Sequence, residues 1–410
     1  MDQGSLSGVR VVEAGVFMAA PFAGMQLADL GADVVKVEPP GRGDPARQVG
    51  PYLRGEGSAF LRLNRNKRSV AVDLKHPEGK AVLTRLLTNA DVFLQNLRPG
   101  AMDALGFDYE TVRALNPRLV YVSLSGWGQD GPRASLPGLD VMAQARAGLM
   151  SITGEPDGPP AKVGVPLCDL TCGLYAALAA VAALRARDAG GADGVGQHVD
   201  VSLFESAVSM GIWEAGRYFA TGEVGGRLGS AHQSTAPYQA FATADGWVTF
   251  GAVTPRTWVA ACDVLGLGEL ADDPRYADAY QRQLLRSELT PVIGRATRGW
   301  QTGVLVGALE KAGVPCAPIA DYAEVFTDDH LGERGYYWDA PHPTLGDVRQ
   351  LGSPMRMSAT PPVRGPAGPP LGADSRDVLR EAGFARSEIE RLEAAGAVRC
   401  GEPDREGRSE

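Results

Sequence analysis

Short apolar runs alternate with helical stretches through the first half of the chain. Val9 to Glu13 reads as a strand; Ala19 to Leu30 carries its apolar positions at helical spacing and is closed by Gly31. Val34 to Val37 is a second strand, which completes a βαβ unit. The pattern recurs as a helix near Gly79 to Leu87, a strand from Asp91 to Leu94, a helix near Tyr109 to Leu115 and a strand from Leu119 to Leu124. Such alternation predicts a parallel sheet in a Rossmann-like α/β domain. An Ala/Leu-rich helix is expected after Asp169, to about Arg187, and a strand from His198 to Leu203. Glycines from Gly222 to Ser230 mark a domain crossing. Beyond it, Ala240 to Thr243 and Trp247 to Gly251 flank Asp245-Gly246 as a hairpin, and helical patterns fill Trp258 to Leu309. Pro361 to Leu371 reads as extended, Ser387 to Ala395 as a helix, and Gly401 to Glu410 as a frayed, charged tail.

The expected fold class is therefore α/β: a large Rossmann-like domain at 1–220 followed by a smaller α+β domain at 221–325. With 410 residues the chain is long enough for two domains. Its 44% hydrophobic and 22% charged residues are those of an ordinary globular protein. A net charge of -9 argues against a nucleic-acid or anionic-membrane surface. Five scattered cysteines suit free thiols in a reducing compartment. Cys168 and Cys172 lack partners for a zinc site, so no metal is expected. Met1-Asp2-Gln3-Gly4-Ser5 carries no signal-peptide pattern. The apolar stretch Leu174 to Leu184 reads as a buried helix, too short for a membrane span. The expectation is a cytoplasmic enzyme.

Asp169 is the strongest chemical signal. It follows an apolar, proline-stiffened stretch and opens a long helix. A carboxylate there is expected to stay ionised, because exposed amides and the helix dipole favour negative charge. It can serve as a nucleophile towards an activated acyl group, or simply as an N-cap. The turn after the first strand, Ala14 to Pro21, has no Gly-x-Gly-x-x-Gly, so a dinucleotide is not indicated. Ligands of open α/β sheets still bind beyond the C-terminal strand ends, which places Phe17 to Ala19 at the site.

Several segments resemble class III CoA-transferases, and they occur in the family's order. They include Leu6 to Glu13, Ala20-Pro21-Phe22-Ala23, Leu30 to Glu38, Asn64 to Ser69, Asp73-Leu74-Lys75, Gln95 to Gly100 and Ser125-Gly126-Trp127-Gly128. The family's catalytic aspartate matches Asp169. Leu228-Gly229-Ser230-Ala231-His232, leading into Ala236 to Phe241, resembles the succinyl-CoA:dicarboxylate members. The resemblance implies CoA transfer from an acyl-CoA, with succinyl-CoA expected, to a short dicarboxylic acid through a covalent aspartyl intermediate. It also implies that 326–410 returns to complete the large domain, and that two chains interlock as a homodimer. Coenzyme A and acyl-CoA would be substrates, with no tightly bound cofactor.

The stretches matching CoA contacts are Met18, Ala19, Val72, Asp73, Leu74, Lys75, Asn96, Leu97, Arg98, Pro137, Gly138, Leu139 and Asp140. Gly225 and Gly226 are candidates for an oxyanion-stabilising loop, and His232 for a substrate carboxylate. The formyl-CoA enzyme has glutamine in place of Met18, and arginine in place of Pro39 and Ala104. The alternatives are an α-methylacyl-CoA racemase or epimerase on the same fold, and a non-catalytic CoA-binding protein. Racemases of the family carry a His-Asp pair where this chain reads Leu139-Asp140, and leucine moves no proton.

Overall fold

A computed structural model describes residues 4–401. Met1–Gln3 and residues 402–410 lie outside the described residues, and with them most of the expected tail. The chain divides into two compact units. One takes residues up to Gly148, Val163–Ile212 and the chain from His330 onward; the other takes Leu149–Lys162 and Trp213–Asp329. Residues 149–162 and 213–220, assigned to the large domain on sequence, thus cluster with the small one.

The first unit is built on seven strands: β1 (Arg10–Ala14), β2 (Asp33–Glu38), β3 (Lys67–Val72), β4 (Val92–Gln95), β5 (Val120–Ser125), β6 (His198–Ser202) and β7 (Val398–Arg399). Their order is β7-β3-β2-β1-β4-β5-β6. The first six run parallel. β7 adds antiparallel, with Val398 opposite Val72. The order 3-2-1-4-5-6 is the doubly wound arrangement, which reverses between β1 and β4.

Helices cover both faces of such a sheet, so its strands should be apolar throughout. Val12 faces Val35 and Phe93 across its neighbours, and all three are buried. They share a core with Leu83, Leu87 and Tyr121. Phe93 is wholly inaccessible, and its truncation to Ala should cost about 3–5 kcal/mol. Glu13 and Lys36 break the apolar rule: both are charged, sit in central strands and are 0% exposed.

Two helices place the site. α1 (Ala19–Asp29) follows β1 and is buried along almost its whole length. α3 (Leu167–Asp188) lies against it and buries a stripe of small side chains, Cys172, Ala176, Ala180 and Ala183. Gly173 sets their distance: a Cβ there would lie 2.7 Å from the Ala19 carbonyl oxygen. By length and composition alone α3, at 22 residues, is long and apolar enough to cross a membrane, a test that the core helix of a soluble protein also passes.

β3 was not expected; its polar opening, Lys67-Arg68-Ser69, hides a strand whose later residues are buried. The hairpin Tyr337–His342 with Gly346–Leu351 was also missed. β6 stops one residue early because the Ser202 hydroxyl accepts the Glu205 N–H at 3.1 Å and starts a helix.

The second unit has a three-stranded antiparallel sheet, ordered Cys316–Pro318, Trp247–Gly251, Tyr238–Ala242. The expected hairpin is its core pair. Asp245 at the turn accepts the N–H and hydroxyl of Thr302, each at 2.7 Å. Helices Pro255–Leu265, Arg286–Thr297 and Thr302–Lys311 enclose Phe241, Phe250, Trp258, Ile293 and Leu305.

Candidate active site

The sheet brings the expected residues of the first unit to one edge. Met18 and Ala19 follow β1, Val72 ends β3 and leads to Asp73, Leu74 and Lys75, and Asn96, Leu97 and Arg98 follow β4. Pro137 to Asp140 come after β5, at the start of α2 (Asp140–Arg146). All four stretches leave the C-terminal ends of parallel strands, and the crevice between β1 and β4 is where this topology binds ligands. Lys75 and Arg98 are both exposed there, as phosphate partners need to be. Val72 is fully buried and shapes the floor instead.

The loop after β1 is held at every peptide. Lys36 Nζ donates to the Gly15 carbonyl at 2.8 Å. Asn96 accepts the Val16 N–H at 2.8 Å and returns its own N–H to the Val16 carbonyl at 2.9 Å. The Phe17 N–H reaches Asp44 Oδ1 at 3.0 Å. Asn96, expected to touch CoA, thus spends its amide group bridging the crevice from β4 to the β1 loop. Phe17 has φ of 58°, a left-handed conformation that costs a non-glycine residue on the order of 1 kcal/mol. Met18 opens α1, and among the described residues no side chain caps that helix. In its first turn Pro21 has no N–H and the Phe22 N–H bonds the Met18 carbonyl at 2.8 Å, which leaves the Ala19 and Ala20 amides without a side-chain acceptor.

Asp169 lies one turn from Gly173, the point where α3 meets α1. It is the third residue of α3, not its N-cap; the N-cap is Pro166. The capping carboxylate belongs to Asp140, which accepts the Cys168 N–H at 2.7 Å and the Asp169 N–H at 3.3 Å. Asp140 is itself held by Gln144 Nε2 at 2.6 Å, and Gln144 Oε1 takes the Val163 N–H at 2.9 Å. Gln144 is completely buried.

This arrangement overturns the expectation of a fully ionised aspartate. Burial first, and then the Asp140 carboxylate, push the Asp169 carboxyl up to about 7. Near neutral pH it is therefore partly protonated. The ionised form is poorly solvated, which makes it a better nucleophile than an exposed aspartate. Burial, with Asp140 and Asp169, pushes the neighbouring Cys168 thiol up to about 12. A thiol at that value is no competing nucleophile. Leu139, immediately before Asp140, is 67% exposed and brings no titratable group.

Gly225, Gly226 and His232 belong to the second unit. A Cβ on Gly225 would fall 2.1 Å from Glu214 Oε2, the end of a flexible side chain of the same unit. Gly226 has nothing within 4 Å of such an atom. His232 is rigidly presented: its ring stacks on Tyr238 at 5.0 Å and meets Trp213 edge-on at 5.8 Å. Its Nδ1 accepts the Ser234 N–H at 3.3 Å and lies 3.2 Å from the Thr235 hydroxyl. In the neutral ring the proton then sits on Nε2, as a donor.

The largest cavity described, about 870 Å³, lies elsewhere, between Tyr336, Trp338, Met355 and Arg364. The sequence reading missed Gln144 and Asp44, and it left Glu13 and Lys36 without a role. Charges inside otherwise apolar strand runs were the available signal for the last two.

A profile of CoA-transferase family III matches residues 6–375. The chain is 38% identical to the succinate–glutarate CoA-transferase of Agrobacterium fabrum over 383 residues, covering 92% of this chain and 95% of that protein. It is 36% identical to the succinyl-CoA:glutarate CoA-transferase of Mus musculus over 395 residues, 96% and 90% of the two chains. With the succinyl-CoA–D-citramalate CoA-transferase of Chloroflexus aurantiacus it shares 35% over 396 residues, 96% and 98%. Among solved structures, a CAIB/BAIF family protein from Brucella suis superposes with a TM-score of 0.83 at 36% identity. That match covers 93% of this chain and all of the other.

Proposed function

The chain belongs to CoA-transferase family III, and from that premise we propose that it moves CoA from succinyl-CoA to a short dicarboxylic acid through Asp169. The Asp169 carboxylate attacks the thioester carbonyl, the C–S bond breaks, and CoA leaves as the thiolate. The thiolate then attacks the Asp169 carbonyl of the mixed anhydride, which frees the donor acid as a carboxylate. The acceptor carboxylate attacks the resulting aspartyl-CoA thioester and forms a second anhydride. The expelled thiolate takes the new acyl group and regenerates Asp169.

The observation that carries this reading is the placement of Asp169. It lies in the first turn of α3, one turn from the contact with α1, with its backbone tied down by Asp140 and its carboxyl poised near neutrality. Each tetrahedral intermediate bears an oxyanion, and the side-chain-free amides at the start of α1 are the donors proposed for it. Lys75 and Arg98 are proposed to meet the CoA phosphates. For the acid, relatives at 35–36% identity are named for succinyl-CoA with glutarate or D-citramalate. His232, with Nε2–H left to give, is the proposed donor to a substrate carboxylate.

Succinyl-CoA offered with a panel of acids tests this. Short dicarboxylates should exceed formate and long-chain acids by at least ~100-fold in kcat/KM, well within the roughly 10⁴–10⁵-fold by which a site built to bond a group can reject ligands lacking it. A hundredfold preference the other way would refute the substrate class. A 2-methylacyl-CoA incubated in heavy water should gain no α-deuterium, because Leu139 supplies no base; rapid exchange without CoA transfer would replace transfer with racemisation.

A further inference from the structure

Among the buried charged side chains of the first unit that have no part in the chemistry above, four form one cluster. Glu13 is in β1, Lys36 in β2, Lys67 opens β3, and Asp44 lies in the turn after β2. The side chains of all but Asp44 belong to strands of the central sheet, and all four residues are 0–2% exposed. Glu13 takes Lys36 Nζ on one oxygen at 2.9 Å and Lys67 Nζ on the other at 2.7 Å. Asp44 Oδ2 lies 2.9 Å from Lys36 Nζ, a charge contact rather than an aligned hydrogen bond. Lys67 also donates to the Pro21 carbonyl, in the first turn of α1, at 2.7 Å.

Buried ion pairs of this kind are poor stabilisers, since desolvation offsets their attraction and apolar residues of the same size often serve as well. What the cluster does instead is reach outward. Lys36 holds the Gly15 carbonyl, Asp44 holds the Phe17 N–H, and Lys67 holds the Pro21 carbonyl. Those three backbone groups bracket Met18 and Ala19. Phe17 sits between them in the left-handed conformation that a phenylalanine would leave if released. The same loop meets the crevice, and Ala19 touches α3 at Gly173, one turn from Asp169.

We propose that Lys36 and Asp44 are positioning residues for CoA transfer, acting through the backbone of Gly15 to Phe17 to aim the start of α1 at the reacting thioester. This rests on the transferase reading above for its chemistry, and on the loop geometry alone for its mechanical part. Asp44→Asn is the informative change. Its Oδ1 still accepts from Phe17 and Ala46, but its amide N–H group now opposes the Lys36 ammonium in place of a carboxylate oxygen. Phe17→Asn is the counterpart, because asparagine tolerates the left-handed region better than phenylalanine does.

The experiment compares wild type, Asp44→Asn, Lys36→Arg, Phe17→Asn and the Asp44→Asn/Phe17→Asn double variant as full-length protein. Hydrogen exchange is read on the peptide covering residues 15–22, and kcat and KM are read with succinyl-CoA and glutarate. In folded Asp44→Asn and Lys36→Arg, exchange at 15–22 should rise at least tenfold while β4 and β5 keep wild-type protection. kcat should fall tenfold or more with KM for the thioester changed less than threefold. Phe17→Asn should return part of both losses in the double variant. Wild-type exchange at 15–22 in folded Asp44→Asn overturns the proposal, as does a double variant no better than Asp44→Asn alone. Absence of transfer by the wild type would sink the transferase reading, while the exchange data would still decide the mechanical claim. Should Lys36→Arg fail to fold, the Asp44 and Phe17 cycle decides by itself.

Discussion

Asp169 has two physical reasons to keep its proton, burial and the facing carboxylate of Asp140, and both bear on stability as well as rate. Its folded pKa is near 7 against an ordinary 3.8. The folded state therefore binds this proton more tightly than the unfolded chain does. The group's contribution to stability is full below about pH 4 and is lost as pH rises through 7. Asp169→Asn, which carries no charge, should melt above wild type at pH 8 and level with it near pH 4. After discounting for partial solvent access, the gain at pH 8 is on the order of 1–3 kcal/mol. Transfer should fall by several orders of magnitude in the same variant. A melt at pH 8 no higher than wild type would contradict the raised pKa. The rate carries the same signature: kcat/KM for the thioester should climb with an apparent pKa near 7. Asp140→Asn keeps an acceptor for the helix amides but removes the charge, so this limb should move to lower pH. An unmoved limb would assign the shift to burial alone. At this scale the sequence was legible as far as residue type goes, such as the carboxylate of Asp169 at the opening of a helix. It was not legible where the role depends on what a side chain faces across the fold. Asn96 matches a ligand-contacting stretch, yet its amide is committed to Val16.

At the level of elements, the βαβα pattern was readable because parallel strands covered on both faces must be apolar, and their helices must show a 3.6-residue period. The strands from β1 to β5 follow it, except for β3, whose first three residues are polar. Lys67 opens β3 because its ammonium meets Glu13 and the Pro21 carbonyl inside the unit, a partnership between distant segments that no local pattern displays. The contact of α1 with α3 gives an element-scale test. Gly→Ala within a helix ordinarily stabilises by about 1 kcal/mol. At Gly173 the added Cβ would meet the Ala19 carbonyl oxygen at 2.7 Å and the Phe22 ring at 3.0 Å, so the helices must part. Gly173→Ala should therefore cost about 1–3 kcal/mol and slow transfer, since α1 moves away from Asp169. Thermal melts showing a gain, with full activity retained, would contradict this packing.

For the whole molecule, several large apolar side chains stand open. Leu174 and Leu178 on α3 are 49% and 65% exposed, and Ile212 and Phe219 are 77% and 84% exposed. Patches of that kind mark association sites, and we expect a homodimer; light scattering that finds an active monomer at micromolar concentration would refute it. Family membership fixes the reaction class, and the covalent step is the one we propose for Asp169. Mass spectrometry of the peptide containing Asp169, after brief incubation with succinyl-CoA and trapping by hydroxylamine, tests that step most directly. A hydroxamate on Asp169, absent from Asp169→Asn, is the predicted result. Rapid CoA transfer with Asp169 unmodified, or undiminished transfer by Asp169→Asn, would contradict it.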